Sequence, residues 1–385
     1  MARVPARFDD IEPISRSFQR SSVRAVILVA KVPAGSQVLS KDHMSIVHLA
    51  QDLGLSISTV SRALNGYTDV SRSTRQRIVK RAAEIGYRPN PGASRMKSGK
   101  TLTVGVILPC SGDGYHFADS VYSSLLGGVA TELEAGGYTL IATMQTRNDP
   151  VRETALHENL IRGNWVDALL IGRTRVSDPR IEIARRAKIP FVTYGRTDSV
   201  EPYAWVDTDN EQAFYLATRR QLDFGHRRIA LLNGSLEYYF ARLRQEGYTR
   251  AITESGHTVD PLIMLNGDLS EASGYALCRT LLISGDVPTA LVCATDAMAM
   301  GAIAACRERG LTVGRDISIM GYGNSSASAY CDPPLTTFDH QVFANGRHVG
   351  QGLLRLLRHE AQPSEIHYLE PVVLVARQSD GPNQR

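Results

Sequence analysis

Hydrophobic residues recur every three or four positions between residues 45 and 87, which is the spacing of amphipathic helices. Leu49 and Leu53 share one face of a first helix, and Gly54 ends it. Ser56 is a typical N-cap and predicts the start of a second, short helix. We expect the space between these helices to be filled by Leu49, Leu55 and Val60.

A third helix is predicted to begin after the N-cap Ser71. The residues expected to face inward on it are Ile78, Val79, Ala82, Ala83 and Ile85. The run Arg88-Pro89-Asn90-Pro91 then requires extended backbone, because the residue before a proline is disfavoured in a helix.

From Thr103 onward the pattern changes to short Val/Ile/Leu runs that alternate with amphipathic helices. Strands separated by helices imply βαβ units and parallel sheets that are covered on both faces. The predicted strands are Thr103–Leu108, Thr139–Thr143, Ala168–Gly172, Phe191–Tyr194, Ile229–Asn233, Ala290–Ala294 and Ile317–Tyr322.

Positive charge is concentrated before this strand-rich part. Residues 44–100 contain ten Lys and Arg against three Asp and Glu, residues 1–43 contain seven against four, and residues 101–385 contain 26 against 32. A basic head on an acidic body is typical of a head that contacts phosphates. A solvated run of charges explains the charge alone equally well.

Residues 1–43 show no sustained periodicity, and we expect them to be mostly disordered. Either translation starts at Met44, or the segment is a flexible basic arm that touches DNA. No apolar run approaches the length of a membrane span, and the start lacks a signal-peptide layout. The five cysteines are scattered, which indicates reduced thiols and a cytoplasmic location.

The first two helices and their glycine turn are typical of a helix-turn-helix, whose second helix lies in the major groove of DNA. That helix would present Ile57, Ser58 and Arg62 to base edges. Ser56 and Thr59 are better placed for phosphates. The alternative is a three-helix core without a DNA role.

The motifs LAxxLGLSxSTVSRALNG, VSxxTRxRI and AAEIGYRPNPxA resemble the head of the lac/gal repressor (LacI/GalR) family without gaps from Ile46 to Lys97. The resemblance assigns base contacts to Ile57, Ser58 and Arg62, and a hinge helix to Pro91–Lys97. Met96, followed by Lys97, stands where the family inserts a leucine into the minor groove, and a flexible apolar Met can still part a base step.

The resemblance continues through the body in the segments Val104–Pro109, Phe224–Leu232, Arg244–Tyr248, Asn266–Tyr275, Ala294–Gly301 and Pro333–Thr337. It implies the fold of periplasmic sugar-binding proteins, with two doubly wound parallel-sheet lobes and a ligand at the carboxyl ends of the strands. The expected fold class is therefore an all-α helix-turn-helix head followed by a two-lobed α/β body. The expected domains are an extension (1–43), the head (44–90), a hinge (91–100) and an effector-binding and dimerisation body (101–385).

The resemblance also implies effector contacts. Arg244 aligns with the family's effector-binding arginine, while Arg196, with Tyr194 before it, and Thr295 follow predicted strands. Asp296 is either a second polar contact or a helix cap.

Two aromatic residues are harder to place, since Trp205 and Phe117 either stack on a sugar ring or belong to the core. Two positions depart from the family pattern. Leu269 stands where relatives often have an aromatic residue, and Gly323-Asn324 stands where they commonly have an aspartate, for which Asn324 would compensate.

These features predict a homodimeric repressor that binds a pseudo-palindromic operator and responds to a sugar. The absence of a leucine heptad after Arg377 favours a dimer over a tetramer. No HExxH, GxxxxGK[ST] or GxSxG motif is present, so neither catalysis, a metal nor a cofactor is expected. The alternatives are an exported sugar-binding protein and a sugar-processing enzyme on the same fold. The runs Tyr194–Thr197 and Tyr203–Asp207 resemble a subgroup of regulators of α-glucoside use.

Overall fold

A computed structural model describes residues 45–64, 67–87, 99–108, 120–145 and 149–384. They fall into two compact units, Met1–Pro91 and Gly92–Arg385. The predicted hinge residues Met96 and Lys97, and Phe117, lie outside the described residues. None of the described helices has the length and apolarity needed to cross a bilayer.

The first unit contains three helices, α1 (Ile46–Leu53), α2 (Ile57–Leu64) and α3 (Arg72–Glu84). Gly54 ends α1 in the left-handed conformation, with φ of 62°, as its position predicts. The predicted caps are confirmed: the Thr59 amide donates to Ser56 Oγ at 3.1 Å and the Thr74 amide to Ser71 Oγ at 3.2 Å.

The small core of this unit is built around Leu49, Val60 and Ile78, which are fully buried. The predicted inward orientation of Val79 and Ala83 is wrong, since Val79 is 51% exposed and Ala83 is also exposed. Each follows a buried residue, Ile78 or Ala82, and lies about 100° further round the helix.

The second unit alternates strands and helices. Its strands are β1 (Thr103–Leu108), β2 (Thr139–Met144), β3 (Ala168–Gly172), β4 (Phe191–Tyr194), β5 (Ala204–Thr208), β6 (Ile229–Gly234), β7 (Met264–Gly267), β8 (Ala290–Cys293), β9 (Ser318–Met320), β10 (Thr337–Asp339), β11 (His367–Glu370) and β12 (Val373–Val375). Its helices are α4 (Ser120–Ala135), α5 (Pro150–Arg162), α6 (Pro179–Arg186), α7 (Asn210–Asp223), α8 (Tyr239–Glu254), α9 (Glu271–Leu282), α10 (Asp296–Glu308) and α11 (Val342–Leu357).

Two parallel sheets define two lobes. The first lobe contains the order β11-β5-β4-β3-β1-β2 and the second β7-β6-β8-β9, while β10 and β12 form a separate antiparallel pair. The chain passes between the lobes after β5, after β10 and after β11. The seven predicted strands are present with small differences in their ends, but β5, β7, β10, β11 and β12 were not predicted.

Close helix pairs cover the sheets, and glycines set their spacing. A Cβ added at Gly301 of α10 would overlap the Glu271 carbonyl oxygen of α9, and one at Gly274 would overlap the Met298 carbonyl oxygen. Reciprocal contacts of this kind allow the two backbones to approach closely, so side chains on both helices reach the same core.

Replacing Gly301 with Ala is therefore expected to destabilise the body by about 1–3 kcal/mol, because the added methyl group forces α9 and α10 apart. Differential scanning calorimetry of the full chain measures this change. Gly285→Ala is the matched control, since its Cβ would meet no atom within 4 Å. An equal effect of the two substitutions would contradict the packing argument.

Candidate functional site: a cavity between the lobes and an exposed helix in the head

The described residues enclose a cavity of about 690 Å³ between the two sheets. Its walls contain residues at or just beyond the carboxyl ends of strands in both lobes, where parallel sheets usually bind ligands. These are Tyr194, Thr208, Leu269, Thr295 and Tyr322. Aromatic rings and carboxyl groups complete much of the lining, from Tyr122, Phe240, Asp207, Asp268, Glu271 and Asp296.

Arg244 of α8 supplies a buried cation to this cavity. It is 7% exposed, and it donates from Nε to Asn210 Oδ1 and from Nη1 to the Ala294 carbonyl oxygen, both at 2.8 Å. Its guanidinium carbon lies 4.6 Å from the centre of the Phe240 ring and 4.3 Å from that of Tyr322. Burial lowers the pKa of Arg244, and these aromatic faces help to stabilise its charge.

Asp207, near the end of β5, is the buried carboxylate of the first lobe. Its Oδ2 accepts from Arg196 Nε at 2.8 Å, and its Oδ1 accepts from the Thr208 amide at 2.8 Å. Burial raises the pKa of Asp207, while the charge and hydrogen bond of Arg196 oppose that shift. Arg196 thus fixes the orientation of a carboxylate that lines the cavity.

Thr295 and Asp296 mark the start of α10. The Met298 amide donates to Thr295 Oγ1 at 3.1 Å, so Thr295 is the N-cap. Asp296 is 3% exposed, accepts from Thr337 Oγ1 at 2.5 Å and from the Ser325 amide at 2.6 Å, and lines the cavity. The alternative that Asp296 caps the helix is therefore wrong.

In the head, α2 exposes the residues that the sequence assigned to DNA. Ser56, Ile57, Ser58 and Arg62 are exposed, and Thr59 is half-buried. Ser56 Oγ lies 2.8 Å from the hydroxyl oxygens of both Ser58 and Thr59.

The predicted base-contacting arginine has partners within its own unit. Arg62 forms a 2.7 Å ion pair with Asp69, and its guanidinium carbon lies 5.7 Å from the centre of the Tyr67 ring. Because both members of the ion pair are about half exposed, water screens it, and it holds Arg62 only weakly.

Two family models match the chain: "Bacterial regulatory proteins, lacI family" over residues 45–90, and "Periplasmic binding protein-like domain" over residues 218–379. The transcriptional regulator AglR of Rhizobium meliloti (strain 1021) is 33% identical over 343 residues, which cover 88% of this chain and 95% of AglR. The chain belongs to the lacI family of bacterial regulatory proteins.

Solved structures of the family show the same architecture. The lac repressor dimer bound to operator and the anti-inducer ONPF has a TM-score of 0.77 and 29% sequence identity, and the alignment covers 87% of this chain and 98% of that one. The regulator CelR in complex with cellobiose has a TM-score of 0.67 and 28% identity, over 87% and 99% of the two chains.

The sequence predicts nine effector-binding residues, and the structure brings five of them together. The residues that line the cavity are Tyr194, Arg244, Leu269, Thr295 and Asp296.

Three others are not among the lining residues. Arg196 bonds to Asp207 and lies over the Trp205 ring, and Trp205 stacks on His367 at 4.9 Å. Asn324 bonds through its amide to Asp339 and Arg377. Each of these three side chains therefore forms hydrogen bonds or ring contacts with other residues of the protein.

Several residues that line the cavity were not among the predicted effector contacts, notably Asp207, Asn210, Asp268 and His340. Asp207 and Asn210 belong to a polar run that directly follows the apolar residues of β5, and an unexplained polar run at a strand end was a usable signal. His340 had no such signal, since it lies far from other lining residues in the sequence.

Replacing Arg244 with Lys is expected to destabilise the body by about 1–3 kcal/mol, because Lys lacks the rigid fork whose separate nitrogens bond to Asn210 and the Ala294 carbonyl group. Urea unfolding followed by circular dichroism measures the change. Arg242→Lys on the same helix is the control, since Arg242 is exposed. Equal stabilities of the two variants would show that the bonds of Arg244 contribute little.

Proposed function

We propose that this protein is a transcriptional repressor that binds operator DNA through its head and releases or tightens that binding when a sugar occupies the cavity. The proposal rests on one observation: the same chain contains an exposed helix-turn-helix surface and a cavity lined by aromatic and hydrogen-bonding groups. Regulated genes would be those of carbohydrate use.

The DNA-binding half is supported by the chemistry of α2. Its exposed face combines small hydroxyl side chains with the long fork of Arg62, which bonds to guanine edges in the major groove. The positive charge of residues 44–100 attracts the phosphates. A two-fold operator requires two heads, so we infer a homodimer, as in the lac repressor dimer bound to operator.

The sugar half is supported by the cavity. Aromatic rings cover the apolar faces of sugars, and carboxylates accept hydrogen bonds from hydroxyl groups. Four carboxyl groups and two guanidinium groups, Arg173 and Arg244, belong to the described lining. This excess of negative charge favours an uncharged sugar over a phosphorylated one.

A disaccharide is the preferred effector. A volume of about 690 Å³ lies within the range of pockets that enclose small molecules of more than one ring. The neighbouring CelR structure holds cellobiose, and two runs of this chain resemble regulators of α-glucoside use. We assign no catalytic role to the cavity, and a cytoplasmic location follows from action on DNA.

The decisive experiment is a fluorescence-anisotropy titration of the full chain against the pseudo-palindromic DNA upstream of its own gene cluster and against random DNA. Maltose, sucrose, trehalose, cellobiose and glucose 6-phosphate are added in turn. We expect tight binding to the palindrome alone, and a shift caused by one neutral disaccharide. Sugar binding without DNA binding would instead identify a sugar-binding protein.

Replacing Arg62 with Ala is expected to weaken operator binding by about 1–3 kcal/mol and to affect random DNA much less, because the base contact is lost. The same titration measures both affinities. Lys80→Ala on α3 removes the same charge from an exposed site and controls for the electrostatic contribution. Equal losses on operator and random DNA would remove Arg62 from the base-contacting set.

A further inference from the structure

His340 lies on the second connection between the lobes, between β10 and α11. Its side chain is 4% exposed and lines the cavity. The imidazole ring lies nearly parallel to the ring of Tyr322, with 4.7 Å between their centres and 16° between their planes. Stacking on Tyr322 fixes the plane of the imidazole ring.

The two ring nitrogens of His340 are in different surroundings. Among the described residues, Nδ1 is enclosed without a hydrogen-bond partner, whereas Nε2 is not among the enclosed polar atoms that lack one. Because His340 lines the cavity and Nδ1 is shut off from it, the ring reaches the cavity through the edge that carries Nε2.

The protonation state of His340 follows from its neighbours. Burial and the nearby charge of Arg244 lower the pKa of His340 to about 3, and Asp339 opposes this only in part, so the ring is neutral at pH 7. A neutral imidazole carries one N–H group and one lone pair. Unpaired N–H groups are rarer in protein interiors than unpaired acceptors, so the hydrogen belongs on Nε2.

We propose that His340 is a specificity-determining residue, which donates a hydrogen bond from Nε2 to an oxygen atom of the sugar in the cavity. This inference rests on the proposed sugar effector. The ring and bridging oxygens of a disaccharide can only accept hydrogen bonds, and the cavity's carboxylates, such as Asp207 and Asp296, cannot donate to them.

The buried charged donor of the cavity, Arg244, is already partly engaged by the protein, which makes a neutral donor valuable. Arg244 uses Nε and Nη1 for Asn210 and the Ala294 carbonyl oxygen. Gly323 has no side chain and faces the His340 ring near Cε1. A Cβ at position 323 would lie 4.0 Å from Cε1, which is ordinary van der Waals contact. A longer side chain at position 323 would cover that edge of the ring.

The protonation state can be tested without any sugar. Long-range ¹H–¹⁵N correlation spectra of protein labelled with [¹⁵N]histidine distinguish the two neutral tautomers and the imidazolium ion. The chain has ten histidines, and the signal lost in His340→Gln identifies the one concerned. We expect a neutral ring with hydrogen on Nε2 from pH 6 to pH 8. Hydrogen on Nδ1, or a charged ring, would overturn the proposal.

Sugar binding is tested by isothermal titration calorimetry with the member of the panel maltose, sucrose, trehalose and cellobiose that binds the wild-type chain most tightly. His340→Gln places an amide nitrogen near the position of Nε2, so its Kd should stay within about threefold of wild type. His340→Asn reaches only the Nδ1 position, and His340→Phe retains the stacked ring without a donor. Both should weaken binding about tenfold.

Operator binding without sugar and the melting temperature show whether each variant is folded. Unchanged sugar affinity in folded His340→Phe and His340→Asn would reject the role of His340 and leave the proposed function intact. If none of the four sugars binds the wild-type chain, the proposed effector class is wrong and the role of His340 falls with it.

Discussion

Several elements of the body are held together by Arg244, a buried cation that lines the cavity. The guanidinium group of Arg244 is removed from water, which is costly unless its donors are bonded and its charge is stabilised. Asn210, at the first connection between the lobes, and the carbonyl group of Ala294, beyond β8, provide the acceptors. The Arg244 side chain therefore contacts the first connection at Asn210, the end of β8 at Ala294, and the rings of Phe240 and Tyr322.

The two lobes are also joined across the cavity by backbone hydrogen bonds. The Val176 amide donates to the Glu237 carbonyl oxygen at 2.9 Å, and the Tyr239 amide to that of Thr174 at 3.1 Å. The first-lobe side of this contact is stabilised by a buried ionic cluster in which Arg180, 1% exposed, bonds to both Glu153 and Asp178. A change in the angle between the lobes would alter the geometry of these bonds, and a ligand can shift the lobes only by as much as its affinities for the two arrangements differ.

Much of the fold was predictable, because its central strands are continuous apolar runs that are buried on both faces, such as β1 and β3. The strands that were missed are less apolar or lie at edges. In β11, three of four residues are exposed, and only its pairing with β5 makes it a strand. Such pairing is a long-range interaction that no local pattern contains. The head, by contrast, is short, and its helices are determined by local sequence. Only the buried face of α3 was predicted to be too wide, since Val79 and Ala83 are exposed.

The candidate site was predictable where a family motif carried it, as for Arg244 and Thr295. It was not predictable where tertiary structure decides which side chains meet. Arg196 follows a strand end like a ligand-binding residue, yet its charge is neutralised by Asp207, and Asp207 is the residue that lines the cavity. His340 is a single histidine in a polar segment, and only the crossing of the chain between the lobes stacks it on Tyr322.

The same comparison indicates where specificity resides. Arg244, Thr295 and Asp296, which the family motifs mark, are bonded to the protein itself, so these groups help to hold the shape of the cavity. Discrimination arises when a ligand leaves a buried polar group unpaired or pairs it well. Groups with unused hydrogen-bonding capacity and a fixed direction therefore determine the effector more than the shared groups do.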